Sequence, residues 1–152
     1  MLKILFPERT IINGLELGCN YGPYLHFLEN KRGITGIRGA EIDELAVEYA
    51  QRNGVPVDKM NAANLPLESN SQEVVLSNNF LCPTHFQGHR GEEIMDSIAR
   101  EIMRVLRPGG IYVSSLDDAV PGISVFAGFQ TFSCERRYDV LAGLRIWYKP
   151  ES

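Results

Sequence analysis

What this chain has little of narrows its class first. Only 3 of its 152 residues are cysteine, and Cys19, Cys82 and Cys134 are odd in number and far apart, which argues against a disulfide framework and for reduced thiols. No apolar run approaches the length of a membrane span. The opening Met1 to Leu5 is too short, and too soon interrupted by Pro7, Glu8 and Arg9, for a secretory leader. The expected compartment is therefore the cytosol, with no membrane partner. Basic charge is also scarce: a net charge of -4 leaves no electrostatic footprint for nucleic acid and disfavours bulk RNA or DNA as a partner. Repeats, low-complexity tracts and linkers are absent, so residues 1–152 are expected to form a single domain, large enough to bury roughly 70% of the unfolded surface.

What is there alternates. Ile11 to Leu17 reads as a buried strand, Gly22 to Asn30 as a helix with Tyr24, Leu25 and Leu28 on one side, and Ile34 to Glu41 as a second strand interrupted by Gly36 and Gly39. Asp43 is a good N-cap for a helix whose apolar stripe reads Leu45, Ala46, Tyr49 and Ala50, stopping at Gly54. Short strands follow within Val57 to Ala62 and at Val74 to Ser77. After a loop from Asn78 to Gly91, Ile94, Met95, Ile98, Ala99, Ile102, Met103 and Leu106 recur at helical spacing, with an acidic start and a basic end that suit the helix dipole. Arg107-Pro108-Gly109-Gly110 stops that helix before a strand from Ile111 to Leu116. Phe129 to Arg136 and Leu144 to Lys149 read as a closing strand pair joined by a turn near Asp139 to Gly143. The expectation is an α/β fold: a Rossmann-like, mostly parallel seven-stranded sheet with helices on both faces and an antiparallel closing pair.

The chemistry concentrates at Glu16-Leu17-Gly18-Cys19-Asn20-Tyr21-Gly22, a glycine turn after the first strand, with Glu41 about two dozen residues beyond Gly18. A strand that turns through glycines into a helix opens a crevice at the carboxyl end of a parallel sheet, and a carboxylate ending the next strand can accept both hydroxyls of a ribose. A dinucleotide needs a glycine at the third position of a G-x-G-x-x-G turn and free backbone donors at the helix start for its pyrophosphate. Here Asn20 takes the middle glycine's place, Pro23 removes an N–H, and Glu16 would repel phosphate while suiting a cationic ligand. S-adenosylmethionine carries an amine and a sulfonium, and no phosphate.

These residues resemble the class I S-adenosylmethionine-dependent methyltransferases, in particular the type 11 group with its E/D-x-G-x-G-x-G turn. Three further blocks continue the resemblance: Gly39-Ala40-Glu41-Ile42-Asp43, then Asn61-Ala62-Ala63-Asn64-Leu65-Pro66-Leu67 with Ser71 to Asn78, then Glu101 to Gly110. Together they span roughly residues 11–116. The resemblance implies a methyltransferase with S-adenosylmethionine held by Glu16, Gly18, Cys19, Asn20, Gly22, Glu41, Ile42, Asn61, Ala62 and Ser77. Within that set Glu41 would bind the ribose hydroxyls, Glu16 would hold the methionyl amine or bond its own turn, and Asn61 and Ala62 would border the adenine. Ile42 would pack on a ring face with Leu65 nearby, an ordinary core role being the alternative for both. Asn61 stands where many relatives have an aspartate, and its amide oxygen can still accept the adenine amino group.

Other residues have plainer readings beside the functional ones. His85 is a candidate general base for a hydroxyl or amine acceptor, with a structural loop hydrogen bond as the competing account. Cys82, His85 and His89 have spacing a zinc site could use, but three ligands without a fourth do not close one, and no metal is expected. Cys19 reads as a small packed residue rather than a nucleophile. Relatives carry a helix ahead of the first strand and often a cap, so a shortened start implies an open crevice that a large substrate, a partner chain or a dimer mate would cover. The methyl acceptor is not legible. The rival reading is a non-catalytic methyltransferase-like binding or regulatory protein that acts through a partner.

Overall fold

The apolar run before the glycine turn becomes β1 (Gly14–Leu17), buried along its whole length. Gly14 has to be glycine for this packing: a Cβ there would fall 2.8 Å from Ile37 and 2.9 Å from Val74 on the two flanking strands. The computed structural model describes residues 11, 13–81, 85–115, 130–133 and 144–150. Within them β1 is followed by α1 (Pro23–Arg32), β2 (Ile37–Glu41), α2 (Glu44–Arg52), β3 (Val57–Lys59), β4 (Gln72–Ser77), α3 (Gly88–Val105), β5 (Leu106–Ser115), β6 (Gln130–Ser133) and β7 (Leu144–Tyr148). Residues 116–129, the turn expected near Asp139 to Gly143, and Cys82 and Cys134 lie outside the described residues.

The sheet runs in the order β3-β2-β1-β4-β5-β7-β6. The first five strands pair in parallel, and β7 runs antiparallel to both β5 and β6. The Rossmann-like alternation and the closing pair are as the sequence implies. Strand order reverses between β1 and β4, which leaves a crevice at their carboxyl ends, where open α/β sheets bind ligands.

Side chains alternate across the sheet and feed two cores. Leu15, Leu17, Val75 and Tyr112 pack on one face with Ile98, Ala99, Ile102 and Val105 of α3. Cys19, Val74, Leu76 and Val113 pack on the other with Leu25 and Leu28 of α1 and Val47 and Ala50 of α2. Helices therefore cover both faces.

Local chemistry sets the helix ends. Pro23 starts α1 after Gly22 in the left-handed region, and Gly33 ends it, with its N–H on the Glu29 carbonyl and that of Ile34 on the Leu28 carbonyl. Asp43 caps α2 as expected, accepting from the Leu45 N–H at 2.9 Å.

Three expectations need correction. In α2 the buried residues are Val47 and Ala50, whereas Leu45 is 75% and Tyr49 59% exposed. Val47 and Ala50 fit into the core between this helix and the sheet, and that packing sets the rotation. α3 begins at Gly88, so its first turn holds no acid and Glu92 and Glu93 fall in the second. Leu106 leaves that helix to pair with Gln72, and Arg107 to Gly110 fall inside β5, where a register shift accommodates them.

Candidate functional site

The turn after β1 is held by its neighbours in the sheet. Gly18 donates to the Ala40 carbonyl at 2.9 Å, and Gly22 closes the loop onto the Cys19 carbonyl at 2.9 Å. Gly18 has φ +62° and Gly22 φ +77°. A side chain is excluded at both on space as well: a Cβ on residue 18 would lie 2.1 Å from the Phe80 ring, and one on residue 22 would lie 2.5 Å from Val55. Asn20 shows how this turn does without its middle glycine. It sits at φ +53°, a conformation asparagine tolerates better than other side-chain-bearing residues, and its Oδ1 accepts from the Tyr21 N–H at 2.8 Å.

Glu41 faces this turn from the end of β2. Its Oε2 accepts from the Asn20 N–H at 2.8 Å, and its Oε1 accepts from the N–H groups of Ile42 at 2.7 Å and Asp43 at 3.0 Å. Three backbone donors thus orient one half-buried carboxylate, and lone pairs remain for a ligand. Ile42 beside it is 63% exposed.

Glu16 is the anomaly of the site. It is only 3% exposed, its Oε2 has no hydrogen-bond partner among the described residues, and burial pushes its carboxyl from 4.5 up to about 8. An unpaired buried carboxyl of this kind is costly and calls for a functional account. Cys19 packs against β2: a Cβ on Gly39 would fall 2.3 Å from its sulfur, so the absence of a side chain there lets the turn approach the strand. Burial, then the charges of Glu16 and Glu41, push the Cys19 thiol far up, which keeps it an inert packed group.

The Asn61 segment follows β3. Its Oδ1 accepts from the Ala63 N–H at 2.9 Å, forming a tight turn beside the buried Ala62 and Leu65. Leu65 belongs to the core. Ser77 ends β4 next to Leu17, but its hydroxyl is engaged inside the fold with the Tyr112 hydroxyl at 2.7 Å. That side chain is thus committed to the interior of the fold.

His85 is exposed, and its Nδ1 lies 3.2 Å from the Phe80 carbonyl. This contact requires the proton on Nδ1, which leaves Nε2 as the basic nitrogen of the neutral ring. Phe80 itself was legible only as a loop aromatic, yet it packs on Gly18 and meets Phe86 edge-on at 5.8 Å. Among the described residues no group of three or more His, Cys, Asp or Glu could hold a metal ion. No helix among them is long and apolar enough to cross a membrane.

The parallel sheet, the glycine turn and the carboxylate ending β2 define the Rossmann-like fold of the S-adenosylmethionine-dependent methyltransferases. Residues 15–114 match the family described as a methyltransferase domain, and the chain belongs to that family. No match is found among curated proteins. An S-adenosylmethionine-dependent methyltransferase from Methanosarcina mazei superposes with a TM-score of 0.70 at 14% identity, covering 98% of each chain. A Haloferax volcanii chain solved in complex with the Trm112 methyltransferase activator gives 0.67 at 15% identity, over 95% of this chain and 84% of that one. Phosphoethanolamine N-methyltransferase 2 from Haemonchus contortus, in complex with S-adenosyl-L-methionine, gives 0.57 at 21% identity over 75% of this chain. At such identities the likeness shows the fold. The chain spans 42% of the Galdieria sulphuraria relative it matches and 26% of the Haemonchus one.

Proposed function

We propose that this chain binds S-adenosylmethionine at the crevice above β1 and β2 and transfers its methyl group to an acceptor. The observation that carries the reading is the pair of carboxylates at one glycine turn, Glu41 oriented by three N–H groups and Glu16 buried with an unpaired oxygen. A pyrophosphate would meet the Glu41 charge there, whereas a ribose diol meets an acceptor in Glu41, and an ammonium that displaces the Glu16 proton meets a carboxylate. The residues therefore fit the donor, which supplies a methyl group already activated on a sulfonium.

Each residue's part follows from its chemistry. Glu41 takes the ribose hydroxyls on its remaining lone pairs, and Gly18, Cys19, Asn20 and Gly22 offer close backbone approach. Glu16 balances the methionyl ammonium. Ile42 packs its exposed side chain on a face of the adenine, and Asn61 and Ala62 border the base. The backbone at Ser77 lines the methyl-donor end. Methyl transfer is an in-line displacement, so the protein contributes alignment and exclusion of water. Where the acceptor must lose a proton, His85 Nε2 is the base. A partner chain or second copy of this chain would sit over the crevice, a role supported by the activator complex of the Haloferax relative.

Calorimetric titration with S-adenosylmethionine, S-adenosylhomocysteine and NAD tests this first. Micromolar binding of the two adenosyl ligands and none of NAD is expected. Indifference to both at millimolar concentration would refute the proposal. Transfer of labelled methyl to a panel of hydroxyl, amine and carbon acceptors then separates an enzyme from a binding protein: persistent binding without transfer would favour the regulatory reading.

A further inference from the structure

The loop joining β3 to β4 carries Asn61 and Ala62 but lies beyond the sheet's parallel pairing, so its backbone needs other partners. Two side chains of α3 supply them. Glu101 Oε2 accepts from the Leu65 N–H at 2.6 Å, while Arg104 Nη2 donates to the Leu65 carbonyl at 2.9 Å. The N–H and C=O of one residue are thus bonded as a neighbouring strand would bond them.

Arg104 does more. Its Nη1 donates to the Leu67 carbonyl at 2.7 Å, and its own carbonyl accepts from the Asn70 N–H at 2.9 Å. The two side chains also grip each other through parallel contacts, Nε to Oε1 at 2.7 Å and Nη2 to Oε2 at 2.8 Å. This fork geometry belongs to arginine and not to lysine. The Arg104 guanidinium, with the Leu65 N–H helping, holds the Glu101 carboxyl below the usual carboxylate range.

From this geometry we infer that Glu101 and Arg104 are positioning residues for the nucleoside end of the donor site. By holding Leu65 and Leu67 against α3 they fix the loop in register, so that the Asn61 turn meets the base in one orientation. The inference rests on the donor-binding reading above and extends it to two residues that touch no ligand.

The test compares wild type with Arg104→Gln and Arg104→Lys. It measures the dissociation constants of S-adenosylhomocysteine and of its inosine analogue, together with hydrogen exchange at the loop amides. Wild type should prefer the adenine ligand. Both variants should bind it about tenfold more weakly and lose most of that preference. The Leu65 amide should lose protection while β1 and β4 amides keep theirs. Arg104→Lys should fail to rescue, because it restores charge without the fork. Folded variants with unchanged affinity and preference would overturn the inference, as would full rescue by lysine. If wild type binds neither ligand, the donor reading fails, and unchanged Leu65 protection in the variants would refute the clasp as well. Should Arg104→Gln not fold, Glu101→Gln carries the same comparison and should shift preference and protection in the same direction.

Discussion

Replacing Glu16 by glutamine removes a buried carboxyl that folding turns into a proton carrier. Its folded value near 8 against an unfolded 4.5 means that between those pH values the native chain holds a proton the unfolded chain has released. Stability is therefore fully supported at the acid end of this window and declines as pH rises, by at most about 1.4 kcal/mol per pH unit and about 5 kcal/mol in total. From pH 5.5 to 7.5 that amounts to about 2–3 kcal/mol, or roughly 5–10 °C in Tm for a chain of this size. Glutamine carries no proton to lose, so Glu16→Gln should melt much like wild type near pH 5 and above it near pH 8. Other titrating groups are common to both proteins and cancel in the difference. The same group should couple ligand binding to protons: at pH 7 an ammonium that docks on it displaces about 0.9 proton. Thermal melts across pH 5–8 read the first effect. Calorimetry in buffers of different ionisation enthalpy reads the second. Parallel melting curves for the two proteins, together with proton-free binding by wild type, would refute this reasoning.

Other residues give sharper local tests. Gly18→Ala should cost about 1–2 kcal/mol for the left-handed backbone plus the clash with Phe80, and Phe80→Ala in the same chain should return only the clash, as a double-mutant cycle in denaturant would read. Asn20→Gly should leave stability nearly unchanged, while Asn20→Ala should lose about 1 kcal/mol because alanine keeps the strain and loses the bond to the Tyr21 N–H; urea midpoints decide. Glu41→Ala should weaken S-adenosylhomocysteine about 10–100-fold by calorimetry run well below Tm, since it removes the diol acceptor and frees three N–H groups. Because its partners hold Glu101 below the usual carboxylate range, acidification below that range should protonate it and loosen the loop at Leu65, and exchange rates of that amide should rise before those of the β1 amides.

Features set by near neighbours in sequence were legible. The Asp43 cap, the turn through Gly18 and Gly22, and the facing of Glu41 all depend on a few adjacent residues and one parallel strand contact. The rotation of α2 was not, because Leu45 and Tyr49 satisfy helical periodicity as well as Val47 and Ala50 do, and the choice falls to packing against the sheet. Phe80 on Gly18 and Glu101 on Leu65 join residues distant in the chain, and no local pattern announces either contact. Ser77 is a similar case: strand alternation cannot tell that its hydroxyl has a buried partner in Tyr112 across the sheet.

The most direct test of the central claim, that the two carboxylates at the glycine turn build a donor-binding crevice, is amide chemical-shift mapping with S-adenosylhomocysteine on the isotopically labelled chain. Saturable shifts at Asn20, Ile42 and Ala62 are predicted, with Thr35 and Glu73 unmoved. No saturable shift at millimolar ligand, or shifts confined to residues away from that turn, would contradict it.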